Sequence, residues 1–235
     1  MDTTFRSMYL GLSAFLDANT ERRELLLGQR SPRFDSSFDE AIAQVGDDFE
    51  RVVLKAQAAR DYFLLVGPPG TGKTSRALRR MVEHFYATSS MQILLLAYTN
   101  RAVDEICQSL SSITSGIDYI RVGSELSCDV RFRGHLLENI LAECNSRREV
   151  NTRMTDCRVY VGTVASIAAK AELFKLKRFD VAIVDEATQI LEPQLLGILC
   201  AKFADERNAV GKFILIGDHK QLPAVILQNS GHSEV

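Results

Sequence analysis

Residues 62–74 read Tyr62-Phe-Leu-Leu-Val66-Gly67-Pro-Pro-Gly-Thr-Gly-Lys73-Thr74, an apolar strand that breaks into a glycine-rich turn and opens a helix near Lys73. The turn satisfies G-x-x-x-x-G-K-[ST] at every fixed position and in the strand-to-helix context that the motif requires. Its glycines let the backbone curl, so that successive N–H groups and the helix N-terminus aim at phosphate oxygens. Lys73 can then reach the β- and γ-phosphates, and the Thr74 hydroxyl can ligate Mg2+. Gly67, Pro68, Pro69, Gly70, Thr71, Gly72, Lys73 and Thr74 therefore form a candidate ATP phosphate site.

Outward from this stretch, short apolar runs alternate with helix-length segments: Met91–Ala97, Tyr119–Val122, Arg158–Val164, Val181–Val184 and Lys212–Ile216. That alternation predicts an α/β domain around a parallel sheet. The first sixty residues differ, with helical apolar spacing over Met8–Leu27 and Phe38–Leu54 around a turn-rich stretch, Gly28–Ser37. Two helices packed on the sheet domain are expected there. Between Gly134 and Arg153 a charged helical stretch reads as a small insertion. The expected organisation is a helical segment over 1–60 and a sheet domain over 61–235, with the insertion at about 134–153. The polar tail Gln228–Val235 stops without completing another unit, and the chain reads as a fragment.

Two further stretches carry chemistry. Val181-Ala-Ile-Val-Asp185-Glu186 is an apolar strand running into two acids, which places Asp185 to hold a metal ion and Glu186 to orient or deprotonate an attacking water. Phe213-Ile-Leu-Ile216-Gly217-Asp218-His219-Lys220-Gln221-Leu222-Pro223 is another strand that breaks into a polar turn. Ligands of open α/β sheets bind at the C-terminal strand ends, which puts Asp218 and Gln221 near a γ-phosphate, with Gln221 suited to sensing it.

Composition sets the surrounding bounds. The 235 residues are 46% apolar and 25% charged, as in an ordinary folded domain, and 28 Lys and Arg against 30 Asp and Glu give a net charge of -2. Such a balance provides no global positive field, so any nucleic-acid surface must be local. The five cysteines are widely spaced and without C-x-x-C, which argues against a disulfide framework or zinc ribbon and for a reducing, intracellular setting, cytoplasmic or nucleoid. No apolar run approaches the roughly 20 residues of a membrane helix, so no membrane partner is expected. The basic clusters Arg76, Arg79, Arg80 and Lys170, Lys175, Lys177, Arg178 read as solvated helix faces, and the histidines show no ligand spacing.

Taken together, GPPGTGKT, AYTNRAVDEI (Ala97–Ile106), VGTVAS (Val161–Ser166), DEATQ (Asp185–Gln189) and GDHKQLPA (Gly217–Ala224) resemble motifs I, Ia, Ic, II and III of superfamily 1 helicases, in order over residues 61–225. The D-E-A-x-Q and G-D-x-x-Q-L-P forms are similar to those of its 5'-to-3' group. The resemblance implies a P-loop NTPase fold, a RecA-like parallel sheet flanked by helices, with stalk-like helices before it. It implies that Lys73 and Thr74 bind Mg·ATP, that Asp185 holds the metal and that Glu186 is the catalytic base. Gln189 and Gln221 would couple the γ-phosphate to domain movement, and Thr99, Asn100, Thr163 and Ser166 would touch the backbone of a single strand, DNA being favoured over RNA.

Three departures stand out. Where the family carries a glutamine for adenine selection, the chain has Phe49-Glu50, with Gln44 and Gln57 at unsuitable distances. Ala224 replaces a second proline, and nothing after residue 225 resembles motifs IV to VI. The second RecA-like domain and its arginine finger are thus missing from this chain, and because such an arginine is worth about 10³ to 10⁵ in turnover, little hydrolysis is expected of it alone. The alternatives are an RNA helicase of the same family and a non-translocating, ATP-dependent switch. No N-K-x-D guanine motif supports a GTPase, and the glutamine-bearing motif pair disfavours a ring ATPase.

Overall fold

The computed structural model describes residues 3–68 and 70–218, without the side chains of Thr3, Thr4, Lys73 and Thr74. Four helices come first: α1 (Thr3–Leu16), α2 (Thr20–Leu26), α3 (Asp39–Gln44) and α4 (Asp48–Ala58). The sequence reading expected two, because its apolar periodicity runs through the breaks. Polar caps interrupt it: Asn19 accepts the N–H of Arg22 at 2.8 Å to start α2, and Asp47 accepts that of Phe49 at 2.8 Å to start α4.

The sheet follows. β1 (Tyr62–Val66) leads through the glycine loop into a wide helical turn, Lys73–Leu78, and α5 (Arg79–Thr88). Then come β2 (Ile93–Ala97), α6 (Asn100–Ser111), β3 (Tyr119–Val122), α7 (Leu137–Ala142), α8 (Arg147–Asp156) and β4 (Val159–Thr163). α9 (Val164–Ala168), α10 (Leu173–Leu176), β5 (Phe179–Val184), α11 (Glu192–Leu199) and β6 (Val210–Gly217) complete the described chain. All pairings are parallel, in the order β1-β6-β5-β2-β4-β3.

Both faces of the sheet are covered, which is why its central strands are continuous apolar runs. Ile93 and Leu95 face a core built with Leu78, Met81, Phe85, Val103 and Ile106, on the α4, α5 and α6 side. Leu94 and Leu96 face the other core, with Leu25, Ile167, Phe174, Leu195 and Ile198. At the β3 edge the chain protects itself: Leu136 pairs with Arg121 as a parallel bridge, and α7 packs beside it.

Charged side chains fasten the first sixty residues to the sheet. Asp61, 5% exposed at the start of β1, accepts hydrogen bonds from the side chains of Arg30 and Arg33 and from the backbone N–H of Arg33. Lys212 of β6 donates to the carbonyls of Ala56, Gln57 and Ala59 at 2.8, 3.0 and 2.9 Å, closing the C-terminus of α4. Arg22 reaches the carbonyls of Val210 and Gly211. α1 crosses α11 at two glycines so closely that a Cβ on Gly11 would lie 1.9 Å from the Pro193 carbonyl oxygen.

Candidate nucleotide site

Because every strand runs the same way, the C-terminal ends gather at one edge. There lie the glycine loop after β1, Tyr98–Asn100 after β2, Thr163–Ser166 at the end of β4, Asp185–Gln189 after β5 and Asp218 after β6. The Gly67 N–H donates to the Gly217 carbonyl at 3.2 Å, holding the loop beside the end of β6.

The loop owes its shape to two glycines in the left-handed region, Gly70 at φ +77° and Gly72 at φ +79°. A Cβ on Gly70 would meet nothing within 4 Å, so that flank of the loop is open. The Thr71 hydroxyl donates to the Pro68 carbonyl at 2.8 Å and closes the turn. The Gly72 carbonyl accepts the N–H groups of both Arg76 and Ala77 at 2.9 Å, which widens the first turn of the helix. A helix start of this kind leaves its first N–H groups for an anion.

Asp185 and Asp218 are 2% and 3% exposed at the same edge. The Asp185 N–H donates to the Leu96 carbonyl at 2.8 Å, and its Oδ1 accepts the N–H of Glu186 at 3.0 Å, so β2 and β5 together fix the carboxylate. Glu186 sits at φ +52°, in the left-handed region that a non-glycine residue seldom occupies. Burial raises its carboxyl above the ordinary glutamate range, as do the charges of Asp185 and Glu105, against the pull of Arg101. The following turn is closed by the Gln189 N–H donating to the Glu186 carbonyl at 2.9 Å. It packs so tightly on β6 that a Cβ on Gly217 would approach Thr188 Cγ2 to 2.9 Å.

Beside the helix start, a cleft of about 460 Å³ is lined by Ser75, Arg101, Asp104, Glu105, Gln108 and Asp129. Arg101, Asp104 and Glu105 of this wall fall within the Ala97–Ile106 motif on α6, although no role was expected of them from the sequence. Arg121, a charge inside the apolar strand β3, is 1% exposed and pairs with Asp104 of α6.

Other expected residues fall as follows. Pro69 and Gln221 lie outside the described residues, as do the side chains of Lys73 and Thr74. Thr99 is exposed and caps α6 through the Ala102 N–H at 3.1 Å, with Asn100 next to it. Thr163 is buried and turned to Ser166, accepting its N–H at 3.0 Å and donating to its hydroxyl at 2.8 Å. Gln57 is engaged with His84 at 2.6 Å and Gln44 with Glu40 at 3.1 Å. Phe49 underlies the guanidinium of Arg76, 4.4 Å from the ring centre.

The basic clusters need one correction. Lys177 is not on a solvated face: it is 7% exposed and donates to the carbonyls of Met154 and Thr155, because the C-terminus of α8 offers unfilled acceptors there.

A parallel sheet with such a loop after its first strand, and buried acids after two others, defines a phosphate-loop nucleotide-binding domain. A family model described as an AAA domain matches residues 44–158 and 137–229, and the chain belongs to that family. The chain is 32% identical over 237 residues to the DNA replication ATP-dependent helicase/nuclease JHS1 of Arabidopsis thaliana, covering 95% of this chain and 16% of that protein. With the human DNA replication ATP-dependent helicase/nuclease DNA2 the identity is 30% over 227 residues, covering 90% of this chain and 20% of that one. The chain thus spans about a sixth to a fifth of the length of these curated relatives. Together they bear out the resemblance to the first motor domain of superfamily 1 helicases. Among solved structures, the UvsW helicase from bacteriophage T4 superposes with a TM-score of 0.47 at 15% identity, over 77% of this chain and 59% of that one.

Among the described residues no helix is long and apolar enough to cross a membrane, and no group of three or more His, Cys, Asp or Glu could hold a metal ion by itself. A cation here would depend on a few protein oxygens plus ligand phosphates, the usual arrangement for Mg2+.

Proposed function

We propose that this chain is the ATP-binding half of an ATP-dependent motor that moves along single-stranded nucleic acid, DNA in preference to RNA. In this reading residues 61–235 form the first RecA-like domain, residues 1–60 a stalk-like support and the stretch near 134–153 a helical insertion. A second RecA-like domain, elsewhere in a longer protein of the cytoplasm or nucleoid, supplies the rest of the cleft. The observation that carries the proposal is the convergence of the glycine loop, Asp185, Glu186 and Asp218 on one sheet edge.

The amides of Gly67–Thr74 cradle the phosphates, and Lys73 neutralises charge on the β- and γ-oxygens. Thr74 and Asp185 would hold a magnesium ion, which when bound would draw charge from the phosphates that must separate. Glu186 takes a proton from the water whose oxygen bonds to the γ-phosphorus, while the bridging oxygen leaves with ADP. Asp218, Gln189 and Gln221 would sense the γ-phosphate and report its loss. Thr99 and Asn100, on an outward turn, bear on the strand backbone with Thr163 and Ser166.

One observation favours a switch over a translocase: the Thr163 hydroxyl is taken up by Ser166, donating to its hydroxyl and accepting its backbone N–H. A strand-binding assay separates the two readings. For the motor itself, ATP hydrolysis by this chain is measured with and without single-stranded DNA, with Lys73→Ala as blank. The proposal expects Mg·ATP binding with turnover no faster than the blank. Strand-stimulated turnover that Lys73→Ala abolishes would show the chain completing its own site and would overturn the half-motor reading.

A further inference from the structure

The order of the strands sets how a nucleotide would lie along the site. Asp185 follows β5 and Asp218 follows β6, whereas the glycine loop follows β1, two strands from β5 at the end of the sheet. A triphosphate whose terminal phosphate faces the acids therefore carries its ribose and base outward past β1. On that side α4 packs against β1 and against the wide turn Lys73–Leu78. Phe49, in the first turn of α4, and Arg76, two residues after Thr74, meet there. The Arg76 stem lies so close over Gly72 that a Cβ on that glycine would be 3.0 Å from Arg76 Cδ, and its guanidinium carbon is 4.4 Å from the Phe49 ring centre. Phe49 is held in place: Asp47 accepts its N–H and pairs with Arg80, whose guanidinium lies 5.6 Å from the same ring. Among the described residues no carboxylate pairs with Arg76, which is exposed.

We propose that Arg76, backed by Phe49, is the base-stacking residue of the nucleotide site, and that the site takes purine nucleoside triphosphates, GTP as well as ATP. The inference rests on the nucleotide reading given above and adds to it the class of base. Guanidinium planes and aromatic rings both stack on nucleobases, and the contact grows with ring area, so it favours purines over pyrimidines. Telling adenine from guanine takes a hydrogen-bonding group at the base edge, where one carries an N6 donor and the other an O6 acceptor. The Phe49 side chain has neither donor nor acceptor, and a stacked guanidinium directs its donors alongside the base rather than at that edge. The nearby amides are engaged elsewhere, Gln57 with His84 and Gln44 with Glu40. An arginine already fixed by Gly72 and Phe49 also loses little freedom when a ligand arrives.

The test is calorimetric titration of the chain with ATP, GTP, CTP, UTP and inorganic tripolyphosphate, each with Mg2+, repeated on Arg76→Lys and Phe49→Leu. Arg76→Lys keeps the charge and loses the plane, and Phe49→Leu keeps an apolar side chain and loses the ring. Circular dichroism checks that both remain folded. The proposal expects GTP to bind within about threefold of ATP, and CTP and UTP about tenfold more weakly. Arg76→Lys should bring ATP and GTP to the pyrimidine level and Phe49→Leu part of the way, while tripolyphosphate, which has no base, binds both variants as it binds the parent. A parent that prefers ATP to GTP by more than that margin, or binds purines and pyrimidines alike, overturns the proposal. So do variants that keep the full purine preference or lose tripolyphosphate as well. Those outcomes leave the nucleotide reading standing, whereas a parent that binds neither ATP nor tripolyphosphate removes that reading and the proposal with it.

Discussion

Glu186 combines a left-handed backbone, partial burial and two neighbouring carboxylates, each of which makes its proton harder to lose or its geometry harder to hold. Such a site persists only where the surroundings over-determine it. Its carboxyl should titrate above the ordinary glutamate range, as read by carbon NMR. Glu105→Gln should lower that midpoint by removing a like charge, and Arg101→Ala should raise it by removing an opposite one. Gly217 offers a steric counterpart. Gly217→Ala brings a methyl into Thr188 and should cost about 1–3 kcal/mol in denaturant unfolding. Thr188→Ser in the same chain, lacking that Cγ2, should restore most of it. The acids stood out in sequence because they follow a complete phosphate loop; an apolar strand ending in Asp-Glu is, taken alone, more often a solvated strand end. The contributions of Glu105 and Thr188 did not stand out, because they depend on which helix and turn the fold brings alongside.

At the scale of elements, the strands could be read almost residue by residue, since a strand buried on both faces is a bare apolar run. The helices of the first sixty residues could not, because Asn19 and Asp47 cap new helices inside an unbroken apolar rhythm. Their attachment to the sheet rests on few groups and is correspondingly testable. Lys212→Met would strip the carbonyls of Ala56, Gln57 and Ala59 of their donor, with an expected loss of about 1–3 kcal/mol per acceptor left dry, less where water enters. Gly11→Ala cannot be accommodated against Pro193 without moving α1, so limited proteolysis should release residues near the N-terminus faster than in the parent. Asp61 supplies the pH dependence. Burial opposes its charge, but the hydrogen bonds from Arg30 and Arg33 prevail and hold its carboxyl well below the usual range. A depressed folded-state value stabilises above the unfolded value of about 3.9 and is lost as pH falls below it. Asp61→Asn should therefore flatten the acid limb of the stability profile.

For the whole molecule, the parallel sheet explains why five stretches far apart in sequence meet at one edge, and why that edge suits a nucleotide. In the proposed reading this chain is a half-motor that binds nucleotide before it can turn it over. The most direct test of that claim is a calorimetric titration of this chain and its Lys73→Ala variant with Mg·ATP. The account predicts saturable binding by the parent and about tenfold weaker binding or worse in the variant, a difference of about 1.4 kcal/mol. No binding by the parent, or equal binding by both, would contradict it.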